Sequence, residues 1–389
     1  MRTRKILALA LTSAAVLLLI VAGVSADTPT LNPQEELGKL LFFDTNLSSP
    51  AGQSCATCHA PEVGWVGPDS AINAAGSVYP GAIDTRFGDR KPPTAAYGGD
   101  SPVLYYDEEE GLWIGGMFWD GRATGWTLGD PLAEQAQGPF LNPVEQNMPG
   151  IKQVCLVVRK SGYADLYEEV WKGPVDCGKN ALELTYERIA RSIAAYERSA
   201  EVNPFSSKYD AYLAGEAVLT DQEAWGLELF EGKGMCSACH ISEPGPDGEP
   251  PLFTDFTYDN LGIPSNPANP ANIANPDFID PGLAGFLRNA GYNEEVWEPE
   301  MGKHKVPTLR NVDLRPYPEF VKAYGHNGFF KSLEEITHFY NTRDVEMWPA
   351  PEVLETINID ELGNLGLTPD EEAAIVAFMK TLSDGYPSK

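Results

Sequence analysis

Apolar residues recur at helical spacing through much of this chain. Within 185–198, Ile189, Ile193 and Tyr196 fall on one face. After Pro369, Ile375, Phe378, Met379 and Leu382 share the apolar side of a last helix. Polar start signals precede several such stretches. Asn32-Pro33-Gln34-Glu35 supplies an N-cap, a proline for the first turn and a glutamate that completes a capping box. Thr220 with Glu223, Ser332 with Glu335, and Thr368-Pro369-Asp370-Glu371 repeat that signal. Alternating strand patterns are scarce. The pattern predicts a mostly α chain with long irregular connections. The stretch 243–251 and the Asn/Pro-rich run 262–276 read as exposed loops without a function of their own.

One pattern occurs twice. EELGKLLF precedes a Cys-x-x-Cys-His at 55–59, and EAWGLELF precedes another at 236–240. Gly38 lies 17 residues before Cys55 and Gly226 lies 10 before Cys236, so the first copy carries a longer loop. Each half looks like a small unit of the cytochrome c kind. The boundary is expected near Val202-Asn203-Pro204, dividing the chain into 27–203 and 204–389.

The first 26 residues stand apart. Arg2, Arg4 and Lys5, a long apolar run and Val24-Ser25-Ala26 read as a secretory signal, and hence a periplasmic location. The run is also long enough for an uncleaved membrane anchor. Its removal takes away three basic residues and no acidic ones, so the net charge goes from −28 to −31. That argues against nucleic acid and anionic membrane surfaces, and suits a cationic protein partner. In an oxidising compartment Cys155 and Cys177, outside both motifs, are expected to pair.

CATCH (55–59) and CSACH (236–240) carry the chemistry. A c-type haem needs two thiols for thioethers and an adjacent histidine to reach the iron. Cys55, Cys58 and His59 form one such set, and Cys236, Cys239 and His240 the other. A zinc site would want more paired ligands nearby, and a redox dithiol would want a βαβ setting. Each iron then has one open position. His304, His326 and His338 are the remaining histidines.

Residues 118–145, FWDGRATGWTLGDPLAEQAQGPFLNPVE, resemble the di-haem cytochrome c peroxidase and MauG family. So do KVPTLRNVDL (305–314) and GHNGFFKSLEEITHFYN (325–341). The resemblance covers most of the chain. It implies two cytochrome c-like domains with one covalent haem each, the N-terminal haem reacting with hydrogen peroxide and the C-terminal one transferring electrons. It implies that Trp119 lies between the haems, and that Gln135, Pro139 and Glu145 lie over the N-terminal one. Glu145 would move a proton between the peroxide oxygens, and Gln135 would hold them. An insertion of about six residues around 124–130 sets this chain apart.

Counting from the HNG motif at His326, the second-haem ligand position falls on Tyr340, where MauG-type members have tyrosine and other peroxidases commonly methionine. A phenolate is a hard anionic donor that favours oxidised iron. The alternatives are a packed tyrosine or ligation by His338, and His326 is expected to support the site by hydrogen bonding. No histidine other than His59 lies between Cys58 and Trp119, so the first haem is expected to be open. The family often binds calcium between the haems, through an asparagine after a Pro-Thr and carbonyls after Leu-Arg-Asn. Here Pro93-Thr94-Ala95-Ala96 leads to Tyr97, and the carbonyl segment looks extended, which weakens the inference: a calcium ion stays an open alternative, without nameable ligands. Three functions fit. One is a MauG-like oxidation of an aromatic residue in a partner protein. Another is a peroxidase fed by a small cytochrome or cupredoxin, and the third is a non-catalytic electron carrier.

Overall fold

Each of the two glycines in the repeated pattern sits where one helix crosses another. The computed structural model describes residues 30–387, so the expected signal at 1–26 lies outside them. Helix α1 (Pro33–Phe42) starts on the predicted Asn32/Glu35 capping box. It crosses α4 (Leu182–Glu197), with α2 (Pro131–Leu141) and α3 (Ile151–Lys160) packed on the same helix. In the second half α5 (Asp221–Glu231) crosses α7 (Pro369–Lys380), and α6 (Leu333–Thr342) packs beside α7. A Cβ on Gly38 would lie 1.9 Å from the Ser192 carbonyl oxygen of α4, and one on Gly226 1.9 Å from that of Ala374 on α7. Only glycine allows either crossing.

The apolar residues sort into two main cores. One holds Leu37, Phe42, Phe140, Ile189 and Tyr196, and the other Phe230, Phe253, Phe339, Ile375 and Phe378. Cys155 and Cys177 form the expected disulfide, their Cα atoms 5.7 Å apart. Strand content among the described residues is small. β1 (Tyr105–Asp107) pairs antiparallel with β2 (Leu112–Ile114), and β3 (Tyr258–Asp259) with β4 (His304–Lys305). The second pair sets Asp259 opposite His304.

Two expectations need correction. The run 262–276 is not simply exposed: Asn266, Asn269 and Asn272 are buried, and the first two donate to the carbonyls of Asn327 and Asp89. These amides satisfy backbone groups of other segments, which a free loop would leave to water. At α6, Ser332 accepts from Glu335 N–H, but the Glu335 carboxylate accepts from Lys331 N–H, one residue earlier than a capping box requires.

Candidate active site

Both Cys-x-x-Cys-His segments fold as short 3₁₀ turns, Cys55–Thr57 and Cys236–Ala238. In each, the histidine N–H donates to the carbonyl of the first cysteine, His59 to Cys55 and His240 to Cys236, which brings thiols and imidazole together. His59 Nδ1 lies 3.2 Å from the Trp65 carbonyl oxygen and His240 Nδ1 2.8 Å from that of Phe253. A ring nitrogen that donates to a carbonyl leaves Nε2 as the free ligand. Burial pushes His59 down to about 4 and lowers His240 as well, so both rings are neutral. Burial also pushes the thiols of Cys58 and Cys236 up to about 12.

A cavity of about 1780 Å³, its open mouth included, is lined by Cys236, Cys239, His240, Tyr340 and Trp119. The Tyr340 hydroxyl has no hydrogen-bond partner among the described residues, so it is available to the cavity. Burial first, then the charges of Cys239 and Asp259, raise its pKa above the usual phenol range. Arg310 also lines the cavity. Its side chain is buried among the rings of Tyr97, Phe205 and Phe253, at 4.9–5.6 Å, and is bonded to Asp210. One guanidinium nitrogen remains buried without a partner among the described residues. A carboxylate of a haem would satisfy it, so cavity and donor set fit that group.

Trp119 is buried at the cavity edge. Its indole N–H donates to the Lys91 carbonyl at 2.8 Å, and the Lys91 ammonium lies 5.8 Å from the ring centroid. On the first-half side, burial and then the Glu145 charge raise the Cys58 thiol pKa. Burial raises the Glu145 pKa, with Arg122 and Asn142 offsetting part of it. The Gln146 N–H bonds the Pro139 carbonyl at 3.1 Å, tying the Glu145 loop to the end of α2. Gln135 lies one turn before Pro139 on the same face of that helix, and its amide has no partner among the described residues. The insertion at 124–130 wraps the Glu134 carboxylate, which accepts from the N–H groups of Gly125, Thr127 and Leu128.

His338 is not placed to bind iron. It lies on the outer side of α6, bonded to Glu372 at 3.0 Å and Glu346 at 3.3 Å. His326 lines the cavity, bonded to Glu352 at 2.8 Å, and stacks on His304 with ring centroids 3.6 Å apart. His304 in turn faces Asp280, which a bidentate pair joins to Arg90. Ligand atoms of His304, His326 and Asp280 lie within 4.8 Å of one another. The rings are within 8° of parallel, however, so their in-plane lone pairs cannot converge on one ion. The sequence pointed to His326 as a hydrogen-bonding residue but not to its stack on His304 or to Asp280, which other segments of the chain supply.

A sequence model described as di-haem cytochrome c peroxidase matches residues 32–218. The methylamine utilization protein MauG of Paracoccus denitrificans is 35% identical over 364 residues, covering 90% of this chain and 88% of that one. Cytochrome c551 peroxidase of Nitrosomonas europaea is 29% identical, covering 94% and 85%. Among solved structures, the diheme peroxidase BthA of Burkholderia thailandensis superposes with a TM-score of 0.77 at 29% identity, covering 92% of this chain and 87% of that one. The chain belongs to the di-haem cytochrome c peroxidase family and is an oxidoreductase of the peroxidase type.

Proposed function

We propose that the protein is a periplasmic, MauG-like enzyme that takes oxidising equivalents from hydrogen peroxide and delivers them to an aromatic residue of a protein partner. The family implies two c-type haems. Cys55, Cys58 and His59 would hold one, and Cys236, Cys239, His240 and Tyr340 the other; the haems supply redox-active iron. At the first site Glu145, its pKa raised by burial, accepts a proton from the bound peroxide and returns it to the departing oxygen. Gln135 orients the peroxide oxygens, and Pro139 shapes the wall beside Glu145. Trp119, at the edge of the cavity that holds His240 and Tyr340, carries an electron between the sites.

One observation carries the MauG-like reading: the Tyr340 hydroxyl shares the cavity of His240 and has no competing partner among the described residues. A peroxidase supplied by a small cytochrome or cupredoxin is the second reading, favoured by the likeness to cytochrome c551 peroxidase. Electron paramagnetic resonance of the as-purified diferric protein tests the first. One high-spin and one low-spin signal, both lost on adding one equivalent of peroxide without reductant, are expected. Two low-spin signals that peroxide leaves unchanged would overturn it. Tyr340→Met separates the readings further. It is expected to raise the second haem's potential by on the order of 0.1 V and to prevent that haem from sharing the oxidation.

A further inference from the structure

Lys322 is buried between the two halves, 4% exposed. Its ammonium donates all three N–H groups to backbone carbonyls: Val63 at 2.8 Å, Asn311 at 2.9 Å and Leu314 at 3.0 Å. Val63 lies four residues after His59, whereas Asn311 and Leu314 belong to the Leu-Arg-Asn segment of the second half. Asn311 holds a left-handed backbone, φ 59°. Its side-chain amide exchanges two hydrogen bonds of 2.8 Å with Asp384, fixing the turn that presents its carbonyl. Gly64 allows the close approach, since a Cβ there would lie 2.8 Å from that of Asn311. Carbonyl oxygens converging from separate segments form the donor set of a hard cation. Here the cation is part of the chain.

A calcium ion does not fit this arrangement. The Asn311 and Leu314 carbonyls already accept from Lys322. Tyr97, where an asparagine would offer its oxygen, packs its ring on Phe205 at 4.9 Å and donates its hydroxyl to Asp384 at 2.7 Å. Lys322 itself comes from the extended stretch that sets this chain's carbonyl segment apart.

We propose that Lys322 is a tethered cation that takes the place of calcium between the two haem sites and makes the enzyme calcium-independent. Burial, then the Lys91 and Arg315 charges, push its pKa down to about 7, with the Asp313 carboxylate offsetting part of the shift; three carbonyl acceptors around the ammonium favour the charged form. Lys322 is a positioning residue. It ties the segment that carries Trp65, the hydrogen-bond partner of His59, to the segment that carries Arg310. The proposal holds whichever protein partner the enzyme serves.

The experiment uses the holoenzyme in EGTA and in millimolar CaCl2. Wild type is expected to hold no stoichiometric calcium by elemental analysis. It should show the same Tm and the same peroxide-induced loss of the second haem's ferric signal in both buffers. Lys322→Ala is expected to lose about 5 °C in Tm in EGTA, and to slow the loss of that signal, with CaCl2 restoring both. Stoichiometric calcium in wild type, removed by EGTA together with the response of the second haem, would overturn the proposal. So would a Lys322→Ala protein that matches wild type in EGTA, or one whose loss CaCl2 does not restore. If that variant does not fold, the wild-type comparison alone decides.

Discussion

Glu145 is one of several carboxylates of this acidic chain whose pKa burial raises. Its raised pKa means that it still holds its proton at pH values where an exposed glutamate is ionised. Only the ionised form can accept the peroxide proton, so the rate falls as pH drops through that raised pKa. Glu145→Gln is expected to lower peroxide turnover by about 10²–10⁴-fold and to abolish this acid limb in a pH–rate profile. Glu197 on α4 is also buried, with one carboxylate oxygen unpartnered among the described residues, and burial raises its pKa to about 8. A raised folded pKa stabilises fully below the unfolded value and is lost as pH rises through the folded one. Glu197→Gln is therefore expected to flatten the fall in Tm between pH 5 and 9, saving on the order of 2–4 kcal/mol at the alkaline end. Legibility at this scale follows chain distance. The close placement of each Cys-x-x-Cys-His set was readable because its members are adjacent, and the nearness of Tyr340 to the His240 cavity because it is a fixed count from His326. The His304–His326 stack and the Arg90–Asp280 pair were not, because side chains 22 and 190 residues apart meet only through the fold.

At the scale of elements, the helix starts were legible because capping is local. At Asn32, Thr220 and Thr368 the predicted residues form reciprocal capping boxes. The glycine of the repeated pattern was visible in the sequence, but its reason appears only when α1 meets α4 and α5 meets α7. Gly38→Ala and Gly226→Ala each force a Cβ into the backbone of the facing helix. Each is expected to destabilise by about 2 kcal/mol or more, despite the better helix propensity of alanine, and thermal unfolding of the holoprotein measures it. The loops were the least legible elements. In 262–276, composition suggested exposure, whereas the asparagine amides pin remote backbone groups.

At the scale of the molecule, lysine ammonium groups from the second half insert among backbone carbonyls of the first. Besides Lys322, Lys331 donates to the carbonyls of Asn73 and Ala75, and Lys305 to those of Gly115 and Gly116. The net charge of −28 contrasts with this internal use of cations. If the partner is cationic, association is expected to weaken steeply as salt shortens the Debye length from about 10 Å at 0.1 M to about 3 Å at 1 M. Titration with a basic cytochrome c at several ionic strengths measures the slope. The raised thiol pKa also bears on how a porphyrin is attached. In the folded chain burial favours the thiol form of Cys58 and Cys236 over the nucleophilic thiolate. Thioether formation is therefore expected to run faster on the unfolded polypeptide than on the folded apoprotein, which a comparison of the two rates measures.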